Sequence, residues 1–73
     1  MAEYNVVLKD AAGYDISTDL EYGLAAAKKR ARLFLTDVYA DTIGTTHTAL
    51  ATYKVEVQDT KGVCVWDAFR VEG

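Results

Sequence analysis

Val6-Val7-Leu8-Lys9-Asp10-Ala11-Ala12-Gly13-Tyr14-Asp15-Ile16 and Val55-Glu56-Val57-Gln58-Asp59-Thr60-Lys61-Gly62-Val63-Cys64-Val65 share one pattern. Each reads as a strand, an Asp-x-x-Gly turn and a second strand. Asp suits the first turn position because its carboxylate accepts from nearby backbone N–H groups. The closing Gly supplies the positive φ of a bulged hairpin. Only the turn residues and the apolar alternation repeat, so the likeness is read as shared turn chemistry rather than a duplicated gene. Two hairpins are therefore expected.

Between them, Thr18-Asp19-Leu20-Glu21 has the form of a capping box. A helix is expected to begin at Asp19, with Leu20, Leu24, Ala27, Ala31, Phe34, Leu35 and Val38 along one stripe at spacings of three and four. Gly44 is the natural stop, and Asp37 and Asp41 should fray the last turn, so the regular helix should end between Tyr39 and Ile43. Such a helix would be about 35 Å long at 1.5 Å per residue, against about 23 Å for a seven-residue strand. It should overhang its sheet, next to a polar, mobile Gly44-Thr45-Thr46-His47-Thr48. The expected fold is α+β, ββαββ: an antiparallel sheet of two β-hairpins packed on one long amphipathic helix, as a single domain over residues 1–73.

In the last hairpin, alternation places Tyr53, Val55 and Val57 on the inner face and Thr52, Lys54, Glu56 and Gln58 outside. On the partner strand it places Val63, Val65, Phe69 and Val71 inside, with Cys64, Trp66, Ala68 and Arg70 outside. Asp67 disturbs that assignment, because an inward carboxylate is costly unless hydrogen-bonded. A β-bulge near Trp66-Asp67 is expected, and the facing of Trp66 stays open between the two surfaces.

Composition removes several function classes. A chain of 73 residues is too short for two cores, and one core alone seldom gives more than about 3–5 kcal/mol at this size. With Cys64 the only cysteine and His47 the only histidine, one chain offers neither a disulfide nor a Cys/His metal cage. Met1-Ala2-Glu3-Tyr4 has no signal-peptide character, and no apolar run approaches the roughly 20 residues of a membrane span, so a cytoplasmic location and no membrane partner are expected. The net charge of −3 disfavours nucleic acid as the partner. Ser17, His47 and Cys64 have no spacing that forces them together, Asp10 and Asp59 are accounted for by turns, and no phosphate loop is present. No catalytic residue, metal or cofactor is expected.

Three surface features remain. Lys28-Lys29-Arg30-Ala31-Arg32 is the one concentrated basic run. At 100° per residue Lys28 and Arg32 share a side while Lys29 and Arg30 fall elsewhere, so it reads as a solvated face more readily than as a phosphate-tracking one. Tyr22, Ala26, Leu33 and Ala40 would form a second apolar strip on the expected helix, suited to a partner or to a second copy as a homodimer. Trp66, with Arg70 and Lys54, would be an aromatic–cation patch if exposed, and core if the bulge turns it inward.

In organisation, Tyr4 to Ile16, the Ala-rich stretch from Thr18 to Ala40, and Tyr53 to Gly62 running into Val65-Trp66 resemble the short accessory proteins of bacteriophages and other mobile elements, anti-CRISPR proteins and small inhibitors of host enzymes among them. The resemblance implies a non-enzymatic protein-binding module that occludes a surface of a larger host or defence complex, working in the host cytoplasm. Its contact residues would be Trp66, Tyr22, Leu33, Lys28, Arg32 and Arg70. A nucleic-acid-associated regulatory domain using the basic helix and a homo-oligomeric structural subunit are the alternatives.

Overall fold

The computed structural model describes residues 1–70. Both hairpins form with the same turn. The Asp10 and Asp59 carbonyls accept from Gly13 and Gly62, and each Asp N–H closes the loop onto Tyr14 or Val63. Asp10 Oδ1 accepts from the Ala12 and Tyr14 N–H groups, and Asp59 Oδ1 from those of Lys61 and Val63, at 2.9–3.0 Å. Gly13 at φ 87° and Gly62 at φ 81° supply the left-handed residue that the turn requires. Replacing either Asp with Ala is expected to cost about 1 kcal/mol, because two N–H groups lose a preorganised acceptor but can turn to water. The turns lie at opposite ends of the β1–β3 pair, so the double variant should lose the sum in urea titration.

The strands are β1 (Glu3–Lys9), β2 (Asp15–Tyr22), β3 (Lys54–Gln58) and β4 (Cys64–Phe69), in one antiparallel sheet of order β2-β1-β3-β4. Val7 and Glu56, equivalent positions of the two hairpins, face each other across the central β1–β3 pair, so the hairpins are related by a local two-fold. Each hairpin also carries a bulge a few residues beyond its turn. Ile16 is the unpaired residue of the first, between Asp15 and Ser17, and Val65 that of the second, between Cys64 and Trp66.

The helical layer departs from the single long helix. Thr18 to Tyr22 continue β2, paired as far as Glu3–Tyr22, so the apparent capping box is strand. A helix starting at Asp19 would leave the first half of β1 without a partner on that side, and the ladder outweighs the local cap. Gly23 then turns the chain, and α1 runs Leu24–Phe34, only about 16 Å. It does not overhang the sheet.

Two further helices replace the expected continuation. The Thr36 hydroxyl donates to the Leu33 carbonyl at 2.7 Å and accepts from the Tyr39 N–H at 3.3 Å. It thereby closes α1 and caps α2, Asp37–Thr42. Gly44 follows α2 at φ 77°, the stop expected from the sequence. Thr46 caps α3, His47–Leu50, through the Ala49 N–H, so the stretch expected to be a mobile loop is partly helical.

The core consists of Val6, Leu8, Ala27, Ala31, Phe34, Ala40, Leu50, Val55 and Val57. Ala27 and Ala31, both fully covered, let α1 approach the sheet closely, while Phe34 fills the end beside Tyr39 with ring centroids 4.5 Å apart. The kink at Thr36 turns Ala40 into the core and leaves Val38 78% exposed, reversing its expected place in the stripe. Leu20 belongs to the sheet face away from the helices. Ser17, Asp19 and Glu21 occupy the helix-side row of β2, because they pair with Leu8, Val6 and Tyr4.

Candidate protein-binding face

The alternation of β3 is as expected: Val55 and Val57 are fully buried, and Lys54, Glu56 and Gln58 lie on the open face. On β4 the expected inner set is reversed. Trp66 pairs with Val57 and Ala68 with Val55, so both face the helices. Val63, Val65 and Phe69 are 57%, 47% and 59% exposed. Val71 lies outside the described residues. The bulge at Val65 shifts the alternation by one residue. It brings Trp66 over Val57 and moves Asp67 to the open face opposite Glu56, where its carboxylate is hydrated.

Trp66 is half-buried and lies beneath two cations of α1. Lys28 Nζ is 5.8 Å from a Trp66 ring centroid and Arg32 Cζ 5.6 Å, from positions one helical turn apart. Among the described residues neither cation has a carboxylate partner. The other Arg residues are paired. Arg30 Nε approaches Asp19 Oδ2 to 2.6 Å, off the N–H axis, as an ion pair without hydrogen-bond geometry. Arg70 pairs with Asp37 and donates to the Leu35 carbonyl at 3.3 Å, tying the α1–α2 corner to the end of β4. Lys28 and Arg32 are thus held in place by an aromatic ring with their charge still available.

The structure unites Trp66, Lys28 and Arg32 and disperses the other expected contact residues. Tyr22, 56% exposed, lies at the end of β2, across the sheet from Trp66, on its open face. Leu33 lies on the opposite flank of α1, beside a shallow cleft of about 370 Å³ that Arg30, Val38 and Tyr39 also line. Ala40 is core. The apolar strip of Tyr22, Ala26, Leu33 and Ala40 does not exist, because Tyr22 is strand and the kink at Thr36 rotates Ala40 inward. Lys54, a suggested neighbour of Trp66, sits on the open face with its Nζ 2.8 Å from Glu56 Oε2.

No family model, curated protein or solved structure matches the chain. The chemistry of this face therefore rests on its own residues. On the open face, Glu56 accepts from Lys54 and from Gln58 Nε2 at 3.0 Å, and these bonds, Lys54 first, hold its carboxyl below the usual range against the opposing effect of burial. Burial, reinforced by Glu56, pushes the Cys64 thiol up, so it stays protonated at neutral pH. Among the described residues no three His, Cys, Asp or Glu gather as for a metal ion, and no helix is long and apolar enough to cross a membrane.

Because the chain has one tryptophan, its fluorescence reports on this face alone. Relative to free N-acetyltryptophanamide, the ratio of iodide to caesium quenching of Trp66 is expected to be raised, since the anion concentrates beside Lys28 and Arg32. The ratio should fall below that of the free compound in the Lys28→Glu/Arg32→Glu variant. A ratio in the wild-type protein equal to that of the free compound would show that the cations do not sit over the ring.

Proposed function

We propose that the protein is a non-enzymatic protein-binding module that meets its partner through Trp66, Lys28 and Arg32. The observation carrying this reading is a pair of cations, without carboxylate partners among the described residues, stacked on a half-buried tryptophan of an edge strand. Trp and Arg are the residue types that dominate interface energetics, and side chains already ordered by stacking lose less freedom when a partner arrives. The partner's surface is acidic where it meets them. The mode of action is occlusion: a small domain covers an acidic patch on a larger host or defence complex, as small phage-encoded inhibitors do.

Trp66→Ala tests the reading by tagged capture from native host lysate, with nuclease treatment in parallel. Wild-type protein should retain a stoichiometric, nuclease-resistant partner that the variant loses while keeping its wild-type circular dichroism. Undiminished capture by folded Trp66→Ala would refute this surface, and recovery of nuclease-sensitive material alone would favour the basic-helix reading.

A further inference from the structure

We infer that the open edge of β4 is a strand-addition site for an extended acidic segment of the partner protein, with carboxylates at alternate positions and apolar residues between them. The inference rests on the protein-binding reading above and specifies how the partner is held.

Among the described residues no strand pairs with the side of β4 facing away from β3. That side presents backbone N–H and C=O groups to any segment able to lie antiparallel or parallel to it. Edge strands are commonly protected by Lys, Pro or a bulge; Cys64–Phe69 has neither Lys nor Pro, and its bulge at Val65 lies near its start, so the edge offered to an added strand is the regular stretch from Trp66 to Phe69.

The chemistry of the two faces beside this edge sets the sequence of the added strand. On the helix side stand Lys28 and Arg32, about 6 Å apart along α1, close to the roughly 7 Å between alternate residues of a strand. Two carboxylates at positions i and i+2 would each meet a cation. On the open side, Asp67 already faces Glu56, so a further carboxylate there is repelled, while exposed Val65 and Phe69 offer apolar contact along the edge. The faces therefore ask for acid on one side and apolar residues on the other.

The opposite edge of the sheet does not suit the same segment. β2 carries Asp15, Asp19 and Glu21; Lys9 is engaged with Asp15 and Arg30 with Asp19, which leaves Lys29, in the cleft beside Glu21, as one cation against three carboxylates. An acidic strand there meets like charge.

The test is an NMR titration of the full-length ¹⁵N-labelled protein with the synthetic peptide acetyl-Thr-Glu-Val-Glu-Val-Thr-amide. The expected result is saturable shifts of the β4 amides and the Trp66 indole N–H, with affinity at least about tenfold lower for Lys28→Glu/Arg32→Glu. Binding should also be lost when Pro replaces one or other of the two central residues, whichever donates to β4. Unmoved β4 amides at about 2 mM peptide, shifts on β2 instead, or equal binding of the Lys-for-Glu peptide would overturn the inference. Concentration-dependent shifts of β4, alone or together with β2, without peptide would assign the edge to a second copy and overturn it as well. If Trp66→Ala abolishes capture while the peptide leaves β4 unmoved, the face stands and strand addition falls. Peptide binding with capture indifferent to Trp66 is the reverse case.

Discussion

Phe34→Ala is expected to leave the chain largely unfolded at room temperature. Phe34 is 1% exposed, ends α1 over the sheet and stacks on Tyr39, so its removal opens a cavity where α1, α2 and the strands meet. Truncating a buried Phe costs about 3–5 kcal/mol. A core of this size supplies about the same total. The wild-type protein should show a sigmoidal urea transition and Phe34→Ala no folded baseline. Leu33→Ala, one residue away on the exposed flank of α1, should change the midpoint little, which separates the loss of core from any general effect on the helix. A normal transition for Phe34→Ala would mean that α1 does not pack on the sheet through this residue.

Gly23→Ala has the next largest expected effect on stability. Gly23 joins β2 to α1 at φ 88° and ψ 143°, a conformation that glycine reaches and side-chain-bearing residues rarely do. It is fixed from both sides: its N–H donates to the Ala2 carbonyl at 2.8 Å and its carbonyl accepts the first helical bond of α1, from Ala27. A Cβ would also come within 3.1 Å of Met1 Sδ, a contact the flexible methionine can relieve. The backbone strain cannot be relieved in this way, and a loss of about 1–3 kcal/mol is expected. Thermal denaturation measures it, and a variant as stable as wild type would contradict the sharp turn at Gly23.

The parts of the fold legible in the sequence are those decided by local chemistry. Asp10 and Gly13, and likewise Asp59 and Gly62, specify their turns through contacts within four residues, and Val55 and Val57 follow from the period of a strand. The long helix is not legible as wrong from local sequence, because Thr18-Asp19-Leu20-Glu21 satisfies two patterns at once. As a helix start it is a capping box, and as strand it alternates Thr18 and Leu20 against Asp19 and Glu21. The choice belongs to β1, which needs a partner along its whole length. Thr36 and Thr46 carry the signal for the two further helices, each a capping residue within a stretch whose pattern fits one helical period or one loop.

The binding face was legible in its parts and not in its assembly. Trp66, Lys28 and Arg32 each stood out by residue type, and the position of Asp67 announced a bulge. What alternation could not give was the residue at which the bulge falls, and one position decides whether Trp66 points at α1 or at solvent. Tyr22 and Leu33 share a strip with Ala26 and Ala40 only under a helical period, which Tyr22, a residue of β2, does not obey.

The central claim is that Lys28 and Arg32, placed on Trp66, are the contact to a protein partner. Its most direct measurement compares nuclease-treated capture by wild-type protein, by Lys28→Glu/Arg32→Glu, and by Lys29→Glu, whose side chain leaves α1 in another direction. The partner should be lost from the double variant and kept by Lys29→Glu, with all three equally folded. Equal loss in both variants, or full capture by the double variant, would contradict it.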